Sequence, residues 1–120
     1  MVQYSDSALD LSFSALSDAT RRRIIGHLLR EEATISRLAE AFGMTLTGMK
    51  KHVQVLERAG LVLTRKIGRV RTCALEARGL RAEAEWIAAH RRLFEARFAA
   101  LDDIIDELKQ EDRDGPDQGN

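Results

Sequence analysis

Proline and cysteine each occur once in this chain, and aromatic residues make up only 5% of it. One cysteine cannot close an internal disulfide, which fits a reducing cytoplasm. A single proline and few aromatics point to a mostly helical protein. No run of about 18 apolar residues occurs, so no membrane-spanning helix is expected. The N-terminus lacks a basic start followed by an apolar stretch, so no secretory signal is expected either. What is present is 44% apolar and 32% charged over 120 residues. That composition describes one compact globular domain.

A formal net charge of zero conceals a strong asymmetry. Residues 20–71 hold 12 Lys/Arg against 4 Asp/Glu, a balance of +8; residues 1–19 carry −3 and residues 76–120 carry −5. A neutral chain with one basic segment has a directed field, which steers an anionic partner to one face.

Residues 34–75 coincide with most of that basic segment. Thr34–Phe42 (TISRLAEAF) reads as a short amphipathic helix with Ile35, Leu38, Ala39 and Phe42 on its core stripe. Gly43-Met44-Thr45 is a tight turn. Leu46–Ala59 (LTGMKKHVQVLERA) is a second helix, stopped by Gly60. Its residues Leu46, Met49, Val53 and Leu56 recur at intervals of three or four and are expected to pack inward. Thr45, Thr47, Gly48, Lys50, Lys51 and Gln54 are left on other faces. Either threonine can also cap the helix start. Gly48 marks a close approach to DNA backbone or tight packing against the first helix. Leu61–Lys66 and Val70–Leu75 read as two strands of a hairpin turned at Gly68. Its tip, residues 65–71, holds Arg65, Lys66, Arg69 and Arg71. A helix-turn-helix places its second helix in the major groove, and a charged hairpin beside it can grip flanking phosphates.

The rest of the chain reads as support. Ser7–Leu16 has apolar residues at helical spacing. Ser17 or Asp18 can cap a helix from about Ala19 to Arg30, whose stripe is Ile24, Ile25, Leu28 and Leu29. Arg21-Arg22-Arg23 occupies the end of that helix where its dipole disfavours cations, so these arginines need partners. A carboxylate such as Asp18 is the expected one, DNA phosphate the alternative. From about Arg81 to Gln110 one long helix is predicted. Its apolar stripe includes Trp86, Ile87, Phe94, Phe98, Leu101, Ile105 and Leu108, too long for the preceding domain to cover. The same helix of a second subunit is the most economical partner. Trp86, Phe94 and Phe98 read as plain interface core or, alternatively, as the lining of a small-molecule pocket. Residues 111–120 (EDRDGPDQGN) are expected to form a disordered tail.

Together these segments resemble the ArsR family of bacterial winged-helix repressors. Phe13–Ile25 (FSALSDATRRRII) is similar to the family's opening F-x-A-L-x-D-P-T-R-R-x-I-L, with Ala19 where proline is usual. Ile35–Phe42 resembles the L-A-E scaffold helix. Met44–Val62 (MTLTGMKKHVQVLERAGLV) resembles M-S-x-x-x-V-S-K-H-L-x-V-L-x-x-A-G-L-V, the recognition helix and its exit into the wing, and Gly68-Arg69 matches the wing tip. The likeness spans about residues 9–108. It implies a mainly α fold with a small β-hairpin wing, occupying residues 1–110. It also implies a homodimer formed through the first and last helices, with Leu9 and Phe13 joining the long helix's stripe, and a repressor bound to a roughly palindromic double-stranded operator.

Many members of that family sense metals, and each family site can be examined in this sequence. A C-x-C pair on the scaffold helix would fall near Thr34 and Ser36, neither of which ligates a soft metal. The C-terminal helix has one histidine, His90. Asp102, Asp103 and Asp106 suit a solvated helix end. A zinc-type site needs about four convergent donors, and Cys73, His27, His52 and His90 are scattered. The expectation is therefore no metal and no cofactor, with an unidentified small-molecule inducer as the open partner. Cys73 sits in a strand and faces core or solvent; Arg69 and Arg71 nearby would lower its pKa. Lys50, Lys51, Lys66, Arg69 and Arg71 are expected to bind phosphates. Thr45, Thr47, Gln54 and His52 are expected to lie nearest base edges. A winged-helix protein-interaction module is the alternative reading, against which the basic segment argues. An enzyme is not expected, since no nucleophile–base pair, phosphate-binding loop or paired carboxylate is visible.

Overall fold

The computed structural model describes residues 6–114. Its elements run α1 (Asp6–Leu16), α2 (Ala19–Leu28), β1 (Ala33–Thr34), α3 (Ile35–Ala41), α4 (Leu46–Arg58), β2 (Val62–Ile67), β3 (Val70–Leu75) and α5 (Arg81–Asp114). The strands form one antiparallel sheet in the order β1-β3-β2. This is a mainly helical winged helix-turn-helix. The chain divides into two units, Met1–Ala84 and Glu85–Asn120.

Local sequence chemistry sets the helix starts. Asp18, Thr34 and Thr45 each sit in extended backbone and accept, through a side-chain oxygen, the N–H three residues on, in Arg21, Arg37 and Gly48. Each bond satisfies one of the donors that a first helical turn leaves without a partner. Gly43 and Gly60 stop α3 and α4 with φ of 63° and 75°, a conformation that costs a side-chain-bearing residue energy.

The first unit closes on Ile24, Leu38, Met49, Val53, Leu56, Leu61 and Cys73, all fully buried. A leucine or isoleucine buried to this extent stabilises the fold by about 1.5–3 kcal/mol. Ser12 is buried among them and turns its hydroxyl to the Ala8 carbonyl of its own helix and the Ala59 carbonyl at the end of α4.

Several expectations are corrected here. Leu29, placed on the α2 stripe, is 68% exposed, because α2 ends at Leu28 and not near Arg30. Leu46 is 43% exposed: it opens α4, one turn before the helix meets the core at Met49. Asp18, the carboxylate expected beside the first-turn arginines, accepts the Arg21 backbone N–H and feels the Arg21 charge, but the guanidinium forks themselves go to backbone carbonyls. Arg21 donates through Nε to the Ala15 carbonyl at 2.7 Å and through Nη2 to that of Ser14 at 3.3 Å, and Arg22 donates to that of Leu16 at 2.7 Å. Those carbonyls close α1, where free acceptors and the negative end of a helix dipole attract cations. Arg23 lies over the Phe42 ring, 4.8 Å from its centroid. The helix expected to stop at Gln110 runs to Asp114, so the start of the expected tail is helical. The remainder of that tail, like residues 1–5, lies outside the described residues. Among the described residues no helix is long and apolar enough to cross a membrane.

In the second unit the apolar side chains of α5 stay uncovered. Trp86, Ile87, Leu93, Phe94, Phe98, Leu101, Ile104, Ile105 and Leu108 are all 44–68% exposed. Trp86 stacks on His90 at 3.9 Å between ring centroids, and Phe94 on Phe98 at 6.2 Å. Arg91 and Glu95 form an ion pair at 2.8 Å along the helix.

Candidate nucleic-acid interface

The two faces of α4 are cleanly separated. Met49, Val53 and Leu56 are buried, while Thr45, Thr47, Lys50, Lys51 and Gln54 are exposed. The buried positions recur every three or four residues, so the helix is fastened along one side and presents the other outward. Thr45 also accepts the Gly48 N–H at 3.0 Å and so holds the first turn in place. The space around Gly48 is set by that cap: an added Cβ would lie 3.1 Å from the Thr45 hydroxyl and 3.6 Å from Met44 Cε. Neither neighbour belongs to α3, so close packing of the two helices is not what the glycine serves.

His52, grouped with the base-facing residues on sequence grounds, points elsewhere. It is half-buried, and its Nδ1 lies 3.4 Å from Arg21 Nη1 and 3.9 Å from Asp18 Oδ2. It follows Lys51 by one residue, and one helical step of about 100° is enough to turn it from solvent toward the start of α2.

The wing projects past the core. Along β2 and β3, the residues from Arg65 to Arg71 are all exposed, with the turn at Gly68 (φ 64°). The register sets Lys66 directly opposite Arg71. Like charges facing each other across a strand pair repel, and an anion between them relieves the repulsion. Arg65 instead pairs with Glu32 at 3.1 Å. Lys66, Arg69 and Arg71 from the wing, Lys50 and Leu46 from α4, and Thr34 and Ser36 line a cleft of about 390 Å³. Four cations from two elements thus converge on one concave surface.

Cys73 lies on β3 beneath this surface and is fully buried. Burial pushes its thiol from the ordinary 9.0 up to about 11; the Glu57 carboxylate adds to the rise, and Arg71 works against it. The expected lowering by nearby arginines is therefore outweighed, because removing a thiolate from water costs more than one exposed guanidinium returns. Asp18 is shifted the opposite way: the Arg21 N–H that it accepts holds its carboxyl below the usual 3.8. Among the described residues no group of three or more His, Cys, Asp or Glu side chains gathers as a metal site.

Sequence reasoning missed two contributors to this surface. Thr64 donates to Glu57 at 2.8 Å, and Arg71 donates to Thr64 at 3.3 Å. A polar residue in a strand seven positions from a carboxylate gives no periodic signal, and only the turn at Gly60 brings the two together.

Comparison with known proteins places this geometry. A model described as a helix-turn-helix domain matches residues 16–65. The HTH-type transcriptional regulator Rv2034 of Mycobacterium tuberculosis is 33% identical over 73 residues, which cover 61% of this chain and 68% of the relative. The crystal structure of an ArsR family transcriptional regulator is 44% identical with a TM-score of 0.70, covering 79% of this chain and 97% of that one. A homodimeric winged helix-turn-helix DNA-binding domain from Mycobacterium bovis, 24% identical, shares the fold with a TM-score of 0.58 over 79% of this chain and 91% of its own. An outward-facing second helix, a charged wing and these similarities lead to one assignment: the chain belongs to the ArsR family of transcriptional regulators and carries its helix-turn-helix DNA-binding domain.

Proposed function

We propose that this protein is a homodimeric repressor that binds a roughly palindromic double-stranded operator without a metal ligand, in the cytoplasm. The observation that carries the reading is the cleft in which Lys50 of α4 meets Lys66, Arg69 and Arg71 of the wing. In this reading Lys50, Lys51, Lys66, Arg69 and Arg71 neutralise phosphates. Thr47 and Gln54 face base edges, with Thr45 beside them. His52 fixes the helix on its scaffold and does not read bases. Phosphate contacts set position and affinity, and the polar side chains at the groove floor set sequence preference.

Dimerisation is supported by α5. Its stripe of Trp86, Ile87, Phe94, Phe98, Leu101, Ile105 and Leu108 is exposed over most of the helix length, more apolar surface than a soluble monomer ordinarily presents. Leu9 and Phe13 of α1 are only half-buried and complete the proposed interface. The homodimeric Mycobacterium bovis domain of the same fold adds to this support. Two copies would present two recognition helices, which is why a palindromic site follows.

The test is binding of purified protein to its own upstream DNA across a salt series, with competitor DNA and a metal chelator present. Tight, sequence-selective binding that survives the chelator is expected. Lys50→Ala and Lys51→Ala should weaken binding to all sequences, each flattening the salt slope by about 0.9. Gln54→Ala should change the preferred sequence. A uniform loss from all three would refute the division of roles, and loss of selective binding in chelator would refute metal independence.

A further inference from the structure

We propose that Glu57 and Thr64 are positioning residues: together they clamp the wing to the recognition helix and aim Arg71 at the DNA backbone. The clamp rests on the reading of the wing as a phosphate-contacting element.

The wing needs such a device because only half of it belongs to the core. Val62 on β2 and Cys73 and Ala74 on β3 are buried, whereas everything from Arg65 to Arg71 is exposed. Thr64 and Arg71 stand where the hairpin leaves the interior. Beyond them the ladder fixes the two strands to each other but not to α4. Apart from the exposed Arg65–Glu32 ion pair, a contact at that level therefore sets the direction in which the tip points relative to α4.

Glu57 supplies it from the last turns of α4. The Thr64 hydroxyl donates its one proton to Glu57 Oε2 at 2.8 Å, and its lone pairs receive Arg71 Nη1 at 3.3 Å. A hydroxyl between a carboxylate and a guanidinium can be wired in only this direction. The chain of bonds joins α4, β2 and β3, and both bonds involve a charged group. Register agrees, since Thr64 pairs with Cys73 and Arg71 with Lys66, making Thr64 and Arg71 diagonal neighbours on one face. The three side chains line a groove of about 210 Å³ with Lys50 and Gln54 of the exposed face of α4.

The charge of Glu57 strengthens the case. It is the one carboxylate between Glu40 and Glu76, in the most basic part of the chain. On a surface that receives phosphates a carboxylate opposes binding. Its hydrogen bond to Thr64 gives it a role there that an uncharged alanine could not fill.

The test is a double-mutant cycle read by DNA binding of the full chain to its own upstream duplex across a salt series. Thr64→Val keeps the shape and the strand propensity and removes the hydroxyl. It should leave thermal melting nearly unchanged and weaken binding roughly three- to tenfold, the usual worth of one such hydrogen bond. Arg71→Ala should weaken binding and lower the salt slope by about 0.9. If Thr64 acts by aiming Arg71, the double variant binds no worse than Arg71→Ala alone, and Thr64→Ser restores wild-type binding. The clamp is overturned if Thr64→Val binds like wild type, or if the two losses simply multiply. If Arg71→Ala itself leaves affinity and slope untouched, the wing reading fails first and the clamp falls with it.

Discussion

Arg21 Nη1 stands 3.4 Å from Nδ1 of His52, joining the first turn of α2 to the middle of the recognition helix. The same guanidinium holds two carbonyls at the end of α1, so one side chain ties three helices together. The arginine triplet has, on sequence grounds, a carboxylate such as Asp18 as its expected partner and DNA phosphate as the alternative. Its first member is instead an internal fastener, and the field of the +8 segment is carried outward by fewer cations than the sequence counts.

Replacing Arg21 with methionine keeps the stem and removes the fork. We expect a loss of about 2 kcal/mol in stability, since charge-assisted bonds to otherwise free carbonyls are removed. Arg21→Lys should recover little, because an ammonium cannot span both carbonyls and the imidazole. Urea unfolding followed by circular dichroism measures both, and wild-type stability in Arg21→Met would sink the fastener role.

Asp18 gives a prediction in pH. Its carboxyl is held below 3.8, chiefly by the Arg21 N–H and then by the Arg21 and His52 charges. A carboxyl with a depressed folded value stabilises the fold above its unfolded value. That contribution disappears as pH falls through and below 3.8. Asp18→Asn retains an oxygen for the cap but has no charge to titrate. Its stability should therefore decline less steeply than wild type on acidification below about pH 4. Parallel acid-unfolding curves for the two proteins would refute the assignment.

Cys73 should be a slow nucleophile. With the thiol at about 11 against an ordinary 9.0, the thiolate at pH 8 is roughly a hundredfold scarcer than in free cysteine. Burial adds the requirement that the sheet open first. Mass spectrometry after timed iodoacetamide treatment should find the native protein largely unmodified when an unfolded control is fully labelled. Rapid native labelling would mean that β3 is more accessible than its packing shows.

On α5, Phe98→Glu places a charge in the middle of the exposed apolar stripe. If two copies meet there, sedimentation should show a monomer, and operator affinity should fall by at least tenfold as two linked half-site contacts become one. A variant that remains dimeric would move the interface off this face.

Strong periodicity made much of the fold legible beforehand. Met49, Val53 and Leu56 are buried as their spacing requires, and the hairpin turns at Gly68 as written. Exposure at element ends was not legible: Leu29 and Leu46 continue apolar patterns past the point where the helix touches anything. β1 was missed because two residues carry no period; Ala33 and Thr34 become a strand only by pairing with Cys73 and Thr72. The partners of Arg21 and the Glu57–Thr64 contact depend on elements distant in sequence, so residue type alone could not reveal them.

The division of labour along α4 has an evolutionary consequence. Met49, Val53 and Leu56 hold the helix in place, whereas Thr47 and Gln54 are exposed and lie outside the core. Substitutions at those two positions leave the interior untouched, so, under the proposed division of roles, a duplicated copy of the gene could change its DNA address without first acquiring compensating mutations. Drift in recognition and conservation of architecture then proceed on opposite sides of one helix.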